Sequence, residues 1–145
     1  MGAAKGVVAG VVLGVVGFIL FLSFLPGSVQ ILHSTGVLKS NIDVFWDSAC
    51  TNKTVEINWG ALEPGEETSV VLYLVNNKDS YATMMLDTEN WNPMDAVYYM
   101  TLLWNCSYPL PPDTVVPVKL TLRVDNYVKG ITTFGFDIVM HATWT

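Results

Sequence analysis

The feature that most constrains this chain is an uninterrupted apolar run near its amino terminus. Residues 7–25 contain neither a charged residue nor a proline, and Pro26 and Gly27 follow directly. As a helix rising about 1.5 Å per residue, this run would cover close to the roughly 30 Å hydrocarbon core of a bilayer. A cleaved secretory signal usually has a shorter apolar core, of about 7–15 residues. We therefore expect residues 1–25 to form a single transmembrane helix.

Five glycines recur along this segment at near-helical spacing. On an α-helix they fall within an arc of about 120°. Repeated small residues at four-residue spacing let two membrane helices approach closely, although glycine is also common in membrane helices that have no such contact. We predict that one helix-packing face is formed by Gly2, Gly6, Gly10, Gly14 and Gly17.

The charge of the chain lies almost wholly in its second part. Residues 6–38 contain no Asp, Glu, Lys or Arg, so every charged residue that contributes to the net charge of −6, except Lys5, lies in the residues that follow. An acidic surface with few basic residues argues against nucleic acid, which requires clustered positive charge. The expected partners are membrane lipid and other transmembrane helices, in a homo-oligomer or in a larger assembly.

Beyond the apolar run, the sequence divides into a connector and a folded domain. Residues 26–41 contain scattered Pro, Gly and Ser but are too apolar for a free linker, so we expect a connector at the membrane surface. Residues 42–145 show about seven short strand patterns, with turns between them and no long amphipathic helix, which predicts an all-β sandwich. The expected strands cover residues 42–47, 55–59, 68–75, 82–87, 99–105, 116–124 and 133–144.

Cysteines and glycosylation sequons favour a location of this domain outside the cell. The only cysteines, Cys50 and Cys106, adjoin or lie within two N-glycosylation sequons, at Asn52 and Asn105. We predict a disulfide between the two cysteines, glycosylation at both asparagines and a cytoplasmic amino terminus.

Several motifs in the second part resemble those of small immunoglobulin-like domains in archaeal and bacterial surface proteins. They are NWGALEPG at 58–65, VNN at 75–77, NWNP at 90–93, LLW at 102–104 and GITTFGFDI at 130–138. The resemblance covers roughly residues 54–144. It implies an Ig-like sandwich in which the Pro-Gly turn and the tryptophans are structural, and it implies no catalytic residue.

A hydrophobic helix followed by a β-sandwich also resembles archaeal type IV pilins. Lys5 and Gly6, directly before the apolar run, resemble the basic-Gly site that prepilin peptidases cut. Pro26 departs from the pilin pattern, because a pilin helix commonly continues into its globular domain.

The sequence offers no arrangement typical of catalysis or of cofactor binding. His33 and His141 lack further ligands at metal-binding spacing, and no phosphate-binding loop or dinucleotide fingerprint is present. We expect a non-enzymatic protein without cofactor, metal or small-molecule substrate. The tryptophans are expected in the core or on the sheet faces; they are Trp46, Trp59, Trp91, Trp104 and Trp144.

The features together predict a structural subunit of a membrane-anchored or cell-surface assembly. The glycine spacing specifies helix packing, which a simple tether does not need. A pilin-like filament subunit is one alternative. A tethered module that binds glycan or protein is another, although no single loop concentrates aromatic and polar residues.

Overall fold

The computed structural model describes residues 30–106 and 108–145 as a β-rich, sandwich-like fold. Within that part of the chain, Ile31–Thr145 forms one compact unit. Residues 1–29 and Ser107 lie outside the described residues, and with them the predicted transmembrane helix. The strands are β1 (Leu32–Ser40), β2 (Asp43–Phe45), β3 (Glu56–Leu62), β4 (Glu67–Asn76), β5 (Ala82–Asn92), β6 (Met100–Trp104), β7 (Thr114–Val124) and β8 (Thr133–Trp144).

The eight strands form two four-stranded sheets. The first sheet has the order β3-β1-β8-β5 and the second the order β2-β4-β7-β6. Neighbouring strands run antiparallel except for β1 and β8, which run parallel from the pair His33 and Thr133 to the pair Ser40 and Met140. The inward faces of both sheets contribute to one hydrophobic cluster, which gives the molecule its core.

Alternation along the strands explains which face each residue presents. In β8, Phe134, Phe136, Ile138, Met140 and Ala142 are all buried. The residues between them are exposed or half-buried, as the two-residue period of a strand requires. Each of the seven predicted strands is found, with ends that differ by a few residues from those expected. The predicted all-β architecture is confirmed to this extent.

The connection between β5 and β6 contains one short helical turn. A 3-10 helix covers Met94–Tyr98, with Pro93 at its N-cap and Ala96 fully buried beneath it. Pro93 suits this position because its backbone nitrogen has no hydrogen to leave unpaired.

The prediction that residues 26–41 form a connector is wrong for the second half of that range. Leu32–Ser40 is β1, an interior strand that pairs with β3 on one side and β8 on the other. Its inward residues include Ser34 and Gly36, so apolar residues do not alternate along it. A Cβ at Gly36 would lie 2.7 Å from Cδ1 of the buried Ile138, so a larger residue would require that side chain to shift. The folded unit therefore begins at Ile31 and not at residue 42.

Candidate functional site: the entry end of the sandwich

Three connections lie at the end of the sandwich where the chain enters β1. Leu32 pairs with Leu62 at the end of β3, His33 with Thr133 at the start of β8, and Asn92 of β5 with Gly135. The register therefore brings the β3–β4 turn, the β5–β6 connection and the β7–β8 connection to one end. We call this surface, formed by residues 63–66, 93–99 and 125–132, the entry end.

Backbone hydrogen bonds tie the connections of the entry end to one another. The amide of Gly65 donates to the carbonyl of Val124 at 2.9 Å, and the amide of Asp125 donates to the carbonyl of Tyr99 at 2.8 Å. Gly65 has a φ of +86°, and a Cβ there would meet Oδ1 of Asn126. This glycine is therefore required by the backbone conformation of the turn, and a side chain here would also displace that of Asn126.

A shallow groove of about 260 Å³ lies between these connections. Tyr98, Tyr99, Asp125 and Asn126 line it, together with Arg123 at the end of β7. The Nε of Arg123 lies 3.1 Å from Oε1 of Glu67, and both side chains are more than half exposed. Such an exposed pair contributes little stability, so the guanidinium is accessible to other acceptors.

The β3–β4 turn adds carboxylates beside this groove. The side chain of Glu66 accepts a hydrogen bond from the backbone amide of Glu63 at 2.8 Å. Partial burial raises the pKa of Glu63 above its ordinary value, and the negative charge of Glu66 raises it further. A carboxyl with a raised pKa is protonated more readily when the pH falls, so the negative charge of this turn weakens in acid.

The entry end also carries the most exposed large apolar side chains of the described residues. Met94 is 80% exposed, and Tyr98 and Tyr127 are each 78% exposed. Their backbones are held in place: Met94 and Tyr98 belong to the 3-10 helix, and the amide of Tyr127 donates to Oδ1 of Asp125 at 2.9 Å. Aromatic and polar groups are therefore presented together for non-covalent contact. The sequence of any one loop does not predict this surface. Tyr98 and Tyr127 belong to different connections, which only the order of the strands brings to the same end.

The predicted helix-packing residues lie outside the described residues. This applies to Gly2, Gly6, Gly10, Gly14 and Gly17, whose packing stays a prediction.

The predicted disulfide between Cys50 and Cys106 is not formed, and both residues are free thiols. Cys50 follows β2 and Cys106 follows β6, and these two strands form the opposite edges of the second sheet. Three strand spacings of about 4.8 Å separate those edges, whereas a disulfide requires Cα atoms about 4.4–6.8 Å apart. Partial burial raises the pKa of the Cys106 thiol, which lowers its reactivity at neutral pH.

Both predicted glycosylation sites are exposed. The backbone amide of Asn52 donates to Oδ1 of Asp47 at 2.9 Å, which fixes the loop after β2. Oδ1 of Asn105 accepts a hydrogen bond from the amide of Lys119 at 2.8 Å. Glycosylation takes place at the side-chain nitrogen, which this contact does not occupy. Modification of Asn52 and Asn105 stays a prediction.

The tryptophans occupy the positions expected of them. Trp59 is buried in the core, and the other four tryptophans are partly buried and pack against that core. Trp91 stacks on Phe136 with ring centroids 4.2 Å apart, and Nε1 of Trp144 donates to Oδ1 of Asn76. These contacts confirm the predicted placement of the tryptophans in the core and on the sheet faces.

His33 and His141 are exposed on β1 and β8. Within residues 30–106 and 108–145, no cluster of three or more His, Cys, Asp or Glu side chains is placed to hold a metal ion. No helix in that same part of the chain is long and apolar enough to cross a membrane.

No protein-family model matches this sequence, and no curated protein matches it.

Proposed function

We propose that this protein is a non-catalytic structural subunit of a membrane-anchored or cell-surface assembly. In this proposal residues 1–25 form a transmembrane helix that packs against other helices through its glycines. Ile31–Thr145 forms an immunoglobulin-like building block on the extracellular side. The observation that carries the proposal is the succession of an uncharged, glycine-spaced apolar run and a separate compact β unit that begins at Ile31.

The extracellular orientation is supported by the exposure of the asparagines of the two sequons. Asn52 and Asn105 both lie on the surface, where a glycan can be accommodated without unfolding. The free cysteines do not support the orientation in the way a disulfide would, so it rests on the sequons and the acidic surface. The amino terminus is cytoplasmic in this arrangement.

The assembly is tested by a matched pair of substitutions in the apolar run. In Gly10→Ile, the added side chain would push a neighbouring helix away and forfeit close contacts. Val12→Ile on the opposite side of the helix is the control, because lipid accommodates either side chain. We expect the detergent-extracted complex to become smaller only in Gly10→Ile. Equal complex sizes for the two variants would contradict helix packing through the glycines.

A tethered recognition module is the second candidate, and the groove at the entry end favours it. Tyr98 offers an aromatic face, while Arg123, Asp125 and Asn126 offer hydrogen-bonding groups. Stacking on an aromatic ring together with polar contacts is a general way to hold a sugar or a peptide. Loss of ligand binding in Tyr98→Ala, with complex size unchanged in Gly10→Ile, would favour this candidate over the structural subunit.

A pilin-like filament subunit is a variant of the first proposal. It requires processing of the amino terminus at the Lys5-Gly6 site. Amino-terminal sequencing of the protein isolated from cells distinguishes a processed filament subunit from an uncleaved membrane subunit.

A further inference from the structure

Exposed large apolar side chains occur over much of the described surface, and the three most exposed of them share one end of the sandwich. The three most exposed ones, Met94, Tyr98 and Tyr127, all belong to the entry end. They come from two separate connections, so their common location follows from the fold and not from one apolar loop. Exposed apolar groups gathered on one surface indicate a contact with something other than water.

The entry end is also the end that the chain reaches from the apolar run. Residue 25 is the last of that run, and Ile31 is the first of the compact unit. Six residues in full extension cover at most about 20 Å, at roughly 3.3–3.6 Å each. A run that crosses a bilayer therefore keeps the start of β1 within about 20 Å of the membrane surface. The opposite end has no such restriction.

We propose that the entry end rests on the lipid headgroup region of the membrane, with Met94, Tyr98 and Tyr127 inserted at its surface. Tyrosine suits this position because its ring is apolar and its hydroxyl is polar, and it is enriched where hydrocarbon meets water. Methionine adds a flexible apolar side chain. This inference rests on the membrane anchoring in the proposed function and adds the orientation of the sandwich to it.

The charges of the entry end define the kind of lipid it contacts. Its connections carry Glu63, Glu66, Asp95 and Asp125, and a single basic residue, Lys129. Anionic lipids attract clusters of basic residues, so they gain nothing from this surface. The contact we propose is apolar, and it forms on zwitterionic phosphatidylcholine.

The opposite end of the sandwich supplies matched controls. Tyr81 precedes β5 and Tyr108 follows β6, and they are 54% and 58% exposed. Both are the same residue type as Tyr98 and Tyr127. Ala82 pairs with Trp144 near the carboxyl terminus, which fixes Tyr81 at the end away from the chain entry.

The test uses the full chain reconstituted in phosphatidylcholine vesicles. Cys50→Ser and Cys106→Ser provide a background without thiols. Single cysteines are then introduced by Tyr98→Cys and Tyr127→Cys at the entry end. Tyr81→Cys and Tyr108→Cys are the controls at the opposite end. Each variant carries one nitroxide spin label.

The measurement is the collision rate of each label with oxygen, which concentrates in lipid, and with a water-soluble nickel complex. We expect the oxygen-to-nickel ratio at positions 98 and 127 to exceed that at positions 81 and 108 severalfold. Replacing part of the phosphatidylcholine with phosphatidylglycerol is expected not to increase the difference, because the entry end has no cluster of basic residues; an increase would contradict an apolar contact with zwitterionic lipid.

Two results would overturn this inference while the anchoring stands. One is a water-like ratio at all four positions in protein that stays with the vesicles after an alkaline wash. The other is low accessibility to both reagents at positions 98 and 127, which would indicate a protein contact at the entry end. Release of the protein by the alkaline wash is a different result, because it would overturn the anchoring and this inference together.

Discussion

Leu32 provides the sharpest test of the finding that residues 32–40 belong to the folded unit. Its side chain is fully buried, and its strand lies between β3 and β8. Substitution of a buried leucine by alanine costs about 2–5 kcal/mol, with the larger values where the site cannot collapse. Because β1 is held on both sides, we expect Leu32→Ala to lower the free energy of unfolding by about 3 kcal/mol. For a unit of this size that corresponds to a decrease in Tm of roughly 10–20 °C.

Val37 is the matched control on the same strand. It points outward and is 46% exposed, so Val37→Ala removes little buried surface. We expect a cost below about 1 kcal/mol, from β-propensity and partial burial. Both variants of the full chain are unfolded by heat in the same detergent, and the near-ultraviolet circular dichroism of the tryptophans is followed. Equal Tm values for the two variants would refute the reasoning and restore the connector interpretation of residues 26–41.

Truncation of the chain before residue 42 also tests the structural role of β1. A chain of residues 42–145 lacks β1, which leaves β3 and β8 with unpaired backbone groups and opens the core beside Ile138. We expect it to aggregate, whereas residues 30–145 fold as a cooperative unit. Addition of a peptide of residues 30–41 is expected to restore soluble, β-rich protein. Cooperative unfolding of residues 42–145 by themselves would contradict a structural role for β1.

Two further predictions concern the thiols and the ion pair on the outer face of the first sheet. We expect Cys50 and Cys106 to be alkylated in denatured, non-reduced protein, with no change of intact mass on reduction; a mass increase of two hydrogens would instead show a disulfide. Hydrogen bonds from Asn90 at 2.7 Å and from Lys39 at 2.8 Å hold the pKa of Asp137 below its ordinary value. The stability that this ionised carboxylate contributes is present above its unfolded pKa of about 4 and is lost as the pH falls through its lower folded pKa. Asp137→Asn should therefore destabilise the protein at pH 7 and much less at pH 2, measured by urea unfolding; an equal difference at both pH values would contradict this.

Most of the sheet structure could be predicted from the sequence, because apolar and polar residues alternate along a half-buried strand with a period of two. β8 shows this most clearly, since Phe134, Phe136, Ile138, Met140 and Ala142 face one core. β7 follows the same pattern. The charge-free run of residues 7–25 likewise depends only on composition. What it predicts about the membrane follows from chain length and hydropathy alone.

β1 could not be predicted in this way, because the space beside the neighbouring core side chains decides which residues occupy its inward positions. Gly36 faces Ile138 and Trp59, so the third inward residue of the strand carries no apolar side chain. Ser34 is buried as well, while the apolar Val37 points outward. The usual alternation is therefore absent from a strand that lies in the interior of its sheet.

The separation of the cysteines and the composition of the entry end were decided by the order of strands in the sheets. Cys50 and Cys106 each follow a strand, but those strands are opposite edges of one sheet. Tyr98 and Tyr127 are distant along the chain and share one end of the molecule. The residue pattern of a strand records which face is buried, but it does not record which strand lies beside it. That choice is made by packing across the whole core, and so the disulfide prediction was wrong and the aromatic surface appeared only in the tertiary structure.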